Sequence, residues 1–176
     1  MRKVSGNVSV SLFHLGKGGA ATFFDPQVEA VTRKVVERRI EVAFAGRAAE
    51  HVILGNVTAG AGGSDTSDLG LANSLAFWAV TRWGLSEIDH VKWLDCSPEQ
   101  IVAAYPKLAD EAHGMLQVAY ARARALIERR VPQVRAIAAE LLKRRALAHE
   151  DIAALLAKPR GGANKTAAGR PRRKRA

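Results

Sequence analysis

The stretch from Val57 to Ala72, VTAGAGGSDTSDLGLA, sets glycines around two aspartates, Asp65 and Asp68, between two apolar segments of helical character. Three kinds of chemistry use such a composition: a phosphate cradle, a capped helix entered through a tight bend, and a carboxylate aimed at a metal. A phosphate cradle needs G-x-x-x-x-G-K-[ST], or G-x-G-x-x-G between a strand and a helix. Here no lysine follows the glycines, and the preceding segment reads as helix. Capping accounts for more: Ser64, Asp65 or Ser67 can cap the following helix, acids in its first turn complement its dipole, and glycines permit the bend. It leaves open why Asp68, expected about one turn inside that helix, is an acid.

The other groups able to hold a metal or act as a nucleophile are few. Cys96 is the single cysteine, which excludes an intrachain disulfide or a cysteine-based zinc site and fits a reducing compartment. The five histidines are His14, His51, His90, His113 and His149, and no two stand close to four positions apart, so H-E-x-x-H is absent. HEDIA at His149 begins like it but has Ala153 where the second histidine belongs. Tyr105, Lys107 and the arginine-rich helix faces read as solvated surface. Glu50 reads first as the partner of Arg47 in an i, i+3 ion pair, with ordering of a site as the alternative.

At 176 residues and 48% apolar, the chain is long enough to bury a core. The net charge of +10 invites a nucleic-acid or membrane partner until it is located: residues 158–176 hold eight Lys/Arg and no acid, leaving nineteen basic against seventeen acidic residues before them. RPRRKRA has no interleaved aromatics to stack bases, so nucleic-acid binding is the weaker reading. No apolar run approaches the roughly 20 residues that span a bilayer, and the first ten residues lack a signal-peptide core. A soluble, cytoplasmic chain is expected.

The elements that must position these groups follow from periodicity. Asn7 to Leu15 alternates like a half-buried strand, Gly16 to Gly19 suits a turn, and AATFF reads as the returning strand. Asp25 and Pro26 suit the start of one long helix to Leu54, stopped by Gly55, with Val28, Val31, Val35, Val42, Ala45, Ala49 and Val52 inward. A second helix is expected from Asp65 or Thr66 to Trp83, stopped by Gly84, with Trp83 facing the core. Ser97-Pro98-Glu99-Gln100 opens a short helix through a capping box, ended by Pro106. Helices over 107–130, 132–145 and 149–157 follow. The expected fold is mainly α: a small N-terminal β hairpin or sheet edge, then a bundle of about six helices. One domain over 1–157 and a disordered basic tail over 158–176 are expected.

Several motifs in order carry a resemblance. Ala45-Gly46-Arg47-Ala48-Ala49-Glu50, Val57-Thr58-Ala59-Gly60-Ala61, Ser67-Asp68-Leu69 and Val80-Thr81-Arg82-Trp83-Gly84-Leu85-Ser86-Glu87 resemble the peptidase domain of FtsH-type ATP-dependent zinc metalloproteases. There G-G-R-x-A-E-E leads through VTTGA and an N-D or S-D-L step to V-x-x-W/Y-G-[LM]-S-E. Weaker likeness covers Val8 to Leu156.

The resemblance implies zinc as cofactor, two ligands from H-E-x-x-H with its glutamate as general base, and a third at the position of Asp68. It places the missing motif before Met1, and likewise the ATP-driven unfoldase and the membrane-spanning segment. The chain is therefore expected to be an N-terminally truncated peptidase domain, from a longer reading frame or a remnant, and inactive in proteolysis by itself. No catalytic residue is assigned, and ATP enters only through the absent module. His51, where the family often has a second glutamate, and His14 are the alternative ligand pair. A homo- or hetero-oligomeric protease ring and protein substrates are the implied partners, and a non-catalytic helical module that binds protease subunits is the alternative function.

Overall fold

The computed structural model describes residues 8–13, 19–24 and 30–157. The described residues divide into two compact units, one within residues 30–134 and the other joining residues 8–13 and 19–24 to residues 135–157. No described helix is long and apolar enough to cross a membrane.

In the first of these units Thr32, in extended backbone, accepts a hydrogen bond from the Val35 N–H and opens helix α1, Arg33–Ala43. Asp25, Pro26 and Val28, assigned above to the start of this helix, lie outside the described residues. The single long helix is corrected to two, α1 and α2 (Ala45–Leu54), which meet at Phe44. Hydrogen bonds from the Phe44 N–H to the Ile40 carbonyl and from the Ala48 N–H to the Phe44 carbonyl keep the ladder nearly continuous, so the apolar period crosses the bend without a mark. Phe44 is buried and stands edge-on to Tyr120, ring centres 5.5 Å apart. The core face of α1 is Val35, Val36, Ile40 and Ala43, and Val42, expected inward, is exposed. Gly55 ends α2 in left-handed backbone, φ 72°, as its position suggested.

Helix α3, Asp68–Thr81, packs against α1 and against α5, Pro106–Glu128. Ala72, Ala76, Ala79 and Val80 are wholly buried along it, and their small side chains let the neighbouring helices come close. The helix stops at Thr81, two residues short of the expected end. The Arg82 and Trp83 N–H groups both return to the Trp78 carbonyl, and Gly84 turns the chain at φ 62°. Trp83 therefore stands half exposed with its ring edge-on to Trp78, not in the core. A Cβ at Gly84 would lie 2.6 Å from the His90 carbonyl oxygen, so both space and backbone demand glycine there. Helix α4, Pro98–Ala104, opens with the expected capping box of Ser97 and Gln100, and Pro106, expected to end it, serves as the first residue of α5.

The segment after Gly84 is held by one carboxylate. Glu111 on α5 accepts hydrogen bonds from the Ser86 hydroxyl (2.6 Å), the Glu87 N–H (2.8 Å) and Arg33 Nη1. Arg33 also donates to the Leu85 carbonyl at 2.8 Å. Ser86 is wholly buried and its oxygen accepts in turn from the N–H groups of Ile88 and Asp89. Burial disfavours the charged form of Glu111, but the Ser86 hydroxyl, the Glu87 N–H and Arg33 outweigh it and hold the carboxyl below the usual glutamate range.

In the second unit strand β1, Val8–Phe13, pairs antiparallel with β2, Gly19–Phe24, from Val8 opposite Phe24 to Phe13 opposite Gly19. This is the expected hairpin; residues 14–18 of its turn, including His14, lie outside the described residues. Strand β3, Ala146–Leu147, pairs with the other side of β1 and gives the order β2-β1-β3. The ALAH segment reads only as a break between helices, because two residues are too few to show alternation. Helix α6, Val131–Arg144, precedes β3, and α7, His149–Ala157, follows it. Arg144 forks onto the two oxygens of Asp151 at 2.7 and 2.9 Å, and Asp151 accepts the Ala148 N–H, which fixes the turn between the two helices. The fold is mainly α as expected, with seven α-helices among the described residues because the first expected helix is two. The basic tail lies outside the described residues.

The Glu111 carboxylate gives a pH prediction. Its folded pKa lies below the unfolded value, so its stabilisation is complete above the ordinary glutamate range and is lost as pH falls through the folded value. Chemical denaturation should show Glu111→Gln less stable than wild type at pH 7 by about 1–3 kcal/mol, with a shallower loss of stability below about pH 4.5. Parallel pH profiles for the two proteins would remove Glu111 from this role.

Candidate functional site

Helix α2 and the loop after it carry Arg47, Glu50 and Asp65 and lead to Asp68. Asn56 Oδ1 accepts the Val57 N–H at 2.8 Å, and Thr58 then caps a single 3-10 turn, Ala59–Ala61, by accepting the Gly60 N–H. Glu50 and Arg47 both turn to Thr58. Glu50 Oε2 accepts the Thr58 N–H at 3.0 Å, its Oε1 accepts the Thr58 hydroxyl at 2.9 Å, and Arg47 Nη1 reaches the Thr58 carbonyl at 3.4 Å. The reading of Glu50 chiefly as an ion-pair partner of Arg47 is corrected accordingly. The two Thr58 hydrogen bonds pull the Glu50 carboxyl below its ordinary range, with Arg47 adding a smaller effect in the same sense.

The loop ends on Ser67. Its extended backbone and its side chain, accepting the Gly70 N–H at 3.1 Å, make it the cap of α3 from among the three candidates. Asp68 is consequently the first residue of the helix and not a turn inside it, while Asp65 lies before the cap in the loop. Asp68 is exposed, and its Oδ2 lies 4.0 Å from where a Cβ would stand on Gly46 of α2. The unpaired N–H groups of the first turn favour a carboxylate at that end of the helix. Gly70 is required on steric grounds, since a Cβ there would come within 2.5 Å of the Ser64 carbonyl oxygen and 2.6 Å of that of Asp65. The loop folds back over its own helix, and only glycine leaves room.

The described histidines form no metal-holding cluster with this group. His51 Nδ1 lies 2.8 Å from the Tyr120 hydroxyl of α5, with the rings stacked at 6.4 Å, so a protein partner occupies that nitrogen. His14, the other half of the alternative pair, is outside the described residues. His113 stands edge-on to Phe77, and His149 begins α7. Among the described residues no three His, Cys, Asp or Glu side chains are grouped to hold a metal.

The model of Peptidase family M41 matches residues 9–155. The chain belongs to that family. It is 36% identical over 158 residues to an ATP-dependent zinc metalloprotease FtsH 1 of Symbiobacterium thermophilum, covering 85% of this chain and 25% of that protein. It is 32% identical to an ATP-dependent zinc metalloprotease FtsH of Pseudomonas putida, covering 71% and 22%. A third relative is the ATP-dependent zinc metalloprotease YME1L of Drosophila melanogaster, 29% identical with 84% and 21% covered. The chain thus spans about a quarter of the length of these curated relatives.

The relatives above are zinc metalloproteases by name, and a hydrolytic zinc asks for about three protein donors with an open position. Among the described residues no group of three such donors includes Asp68. They do not make a zinc site by themselves.

Three arrangements here escaped the sequence. Thr58 two residues before Gly60 suits a side-chain turn, but its tie to Glu50 crosses a helix end. The Glu111–Ser86 and His51–Tyr120 contacts join residues 25 and 69 apart, and nothing local marks them.

Two glycines give opposite stability effects. Gly70→Ala drives a methyl group into two carbonyls and should lower stability by about 1–3 kcal/mol. Gly114→Ala in mid-α5, where a Cβ meets nothing within 4 Å, should raise it by about 0.4–1 kcal/mol. Thermal unfolding followed by circular dichroism reads both, and a neutral Gly70→Ala would show that the loop does not close over the helix.

Proposed function

We propose that this M41 chain supplies the C-terminal part of an ATP-dependent zinc metalloendopeptidase, with Asp68 as one ligand of a zinc whose remaining ligands lie outside the described residues. The observation that carries this reading is the place of Asp68: the exposed first residue of α3, set by a hydrogen-bonded loop, in a family of zinc metalloproteases. Proteolysis is the function of the assembled enzyme. The isolated chain is inactive, because a single carboxylate does not hold a hydrolytic metal. The ATP-driven module, protein substrates and an oligomeric ring belong to that same assembled enzyme, which works on the cytoplasmic side.

Metal analysis after dialysis tests the proposal. The chain alone should retain no stoichiometric zinc and should leave casein intact. Joined to a segment carrying H-E-x-x-H encoded upstream in the same frame, it should retain one equivalent, lost again in Asp68→Asn. One equivalent on the chain alone would mean that other ligands exist. A stop codon upstream with no such segment would instead favour a non-catalytic module that co-purifies with protease subunits.

A further inference from the structure

Helix α2 meets the glycine loop at both of the loop's ends. At its start, Thr58 is gripped at N–H, hydroxyl and carbonyl by Glu50 and Arg47. At its end, Asp68 lies across Gly46, one turn before Glu50 on the same helix. The intervening path is closed by short-range contacts: Thr58 Oγ1 accepts the Gly60 N–H, the Gly62 N–H returns to the Ala59 carbonyl, and a Cβ on Gly62 would stand 3.6 Å from Leu69. Glu50 commits both carboxylate oxygens to one residue of the loop, an arrangement that fixes backbone direction as well as distance.

We infer that Glu50 is a positioning residue: by holding Thr58 through both oxygens it sets the path of the glycine loop, and with it the place of Asp68 over Gly46, before any metal is present. The clamp stands on these hydrogen bonds alone, and only its consequence for a metal rests on the reading of Asp68 given above.

Side-chain chemistry separates glutamate from its neighbours. Glutamine keeps a carbonyl for the Thr58 N–H, and its amide can donate to the Thr58 oxygen, so both contacts survive with one reversed. Aspartate is one methylene too short to reach from the same backbone. Alanine leaves the Thr58 N–H to solvent.

Amide hydrogen exchange and chemical shifts on the full chain, with no metal added, test the assignment. Glu50→Ala should speed exchange at Thr58 about tenfold or more and shift the amide signals of Asp68 and Leu69, while the core amides of α5 keep their protection. Glu50→Gln should restore both readouts and Glu50→Asp should not. Thr58→Val, which removes only the hydroxyl arm, should give an intermediate effect and serves if the alanine variant does not fold. Changes confined to residues 50–60, with Asp68 unmoved, would overturn the positioning role; so would a glutamine variant as disturbed as the alanine one. Since no metal enters, a failed clamp is distinguishable from a failed ligand assignment, which zinc analysis decides separately.

Discussion

Helix α3 buries seven of its fourteen residues, and that packed face constrains the unit of residues 30–134. With Ala72, Ala76, Ala79 and Val80 wholly buried and α1 and α5 against it, its lateral position is set by packing of small side chains that leave no slack. Packing does not say where the chain enters and leaves. Those two points are set by hydrogen bonds, and the same device is used at each. At the entry, Glu50 of α2 takes a threonine N–H and its hydroxyl. At the exit, Glu111 of α5 takes a serine hydroxyl and the next N–H. Each carboxylate is held in its charged form by the loop it orders.

What the sequence disclosed follows the range of the interactions. The Ser97–Gln100 capping box closes within three residues and is readable as written. Gly55 and Gly84 both mark helix endings, although the return of the Arg82 and Trp83 N–H groups to one carbonyl ends the second helix two residues early and leaves Trp83 half exposed. Ser67 was one of three candidate caps, and choosing among them needed the loop's return over Gly70, which no local pattern encodes. The bend at Phe44 was hidden because the hydrogen-bond ladder barely notices it. Strand β3 exists only through its pairing with β1. Glu111, beside Asp110 in an alanine-rich helix, bears no local mark of its contacts with Ser86 and Arg33, which stand 25 and 78 residues away.

A carboxylate at a helix N-terminus is already favoured without a metal, since the first-turn N–H groups stabilise its charge. That makes Asp68 compatible with two histories: a residue kept for the helix, or one kept for a ligand. Capping alone does not separate them, because Ser67 already performs it. What Asp68 adds beyond the cap is an exposed oxygen beside Gly46, at the end of a loop whose start is fixed to the same helix. Small metal domains commonly depend on their ion to fold. Here the buried cluster that joins α1, α2, α3, α4 and α5 is apolar, and ordering the loop is accomplished by the fold itself. On the proposed reading of Asp68 as a ligand, its backbone is ordered before the metal arrives, so less of the ordering cost falls on the second element that brings the remaining donors.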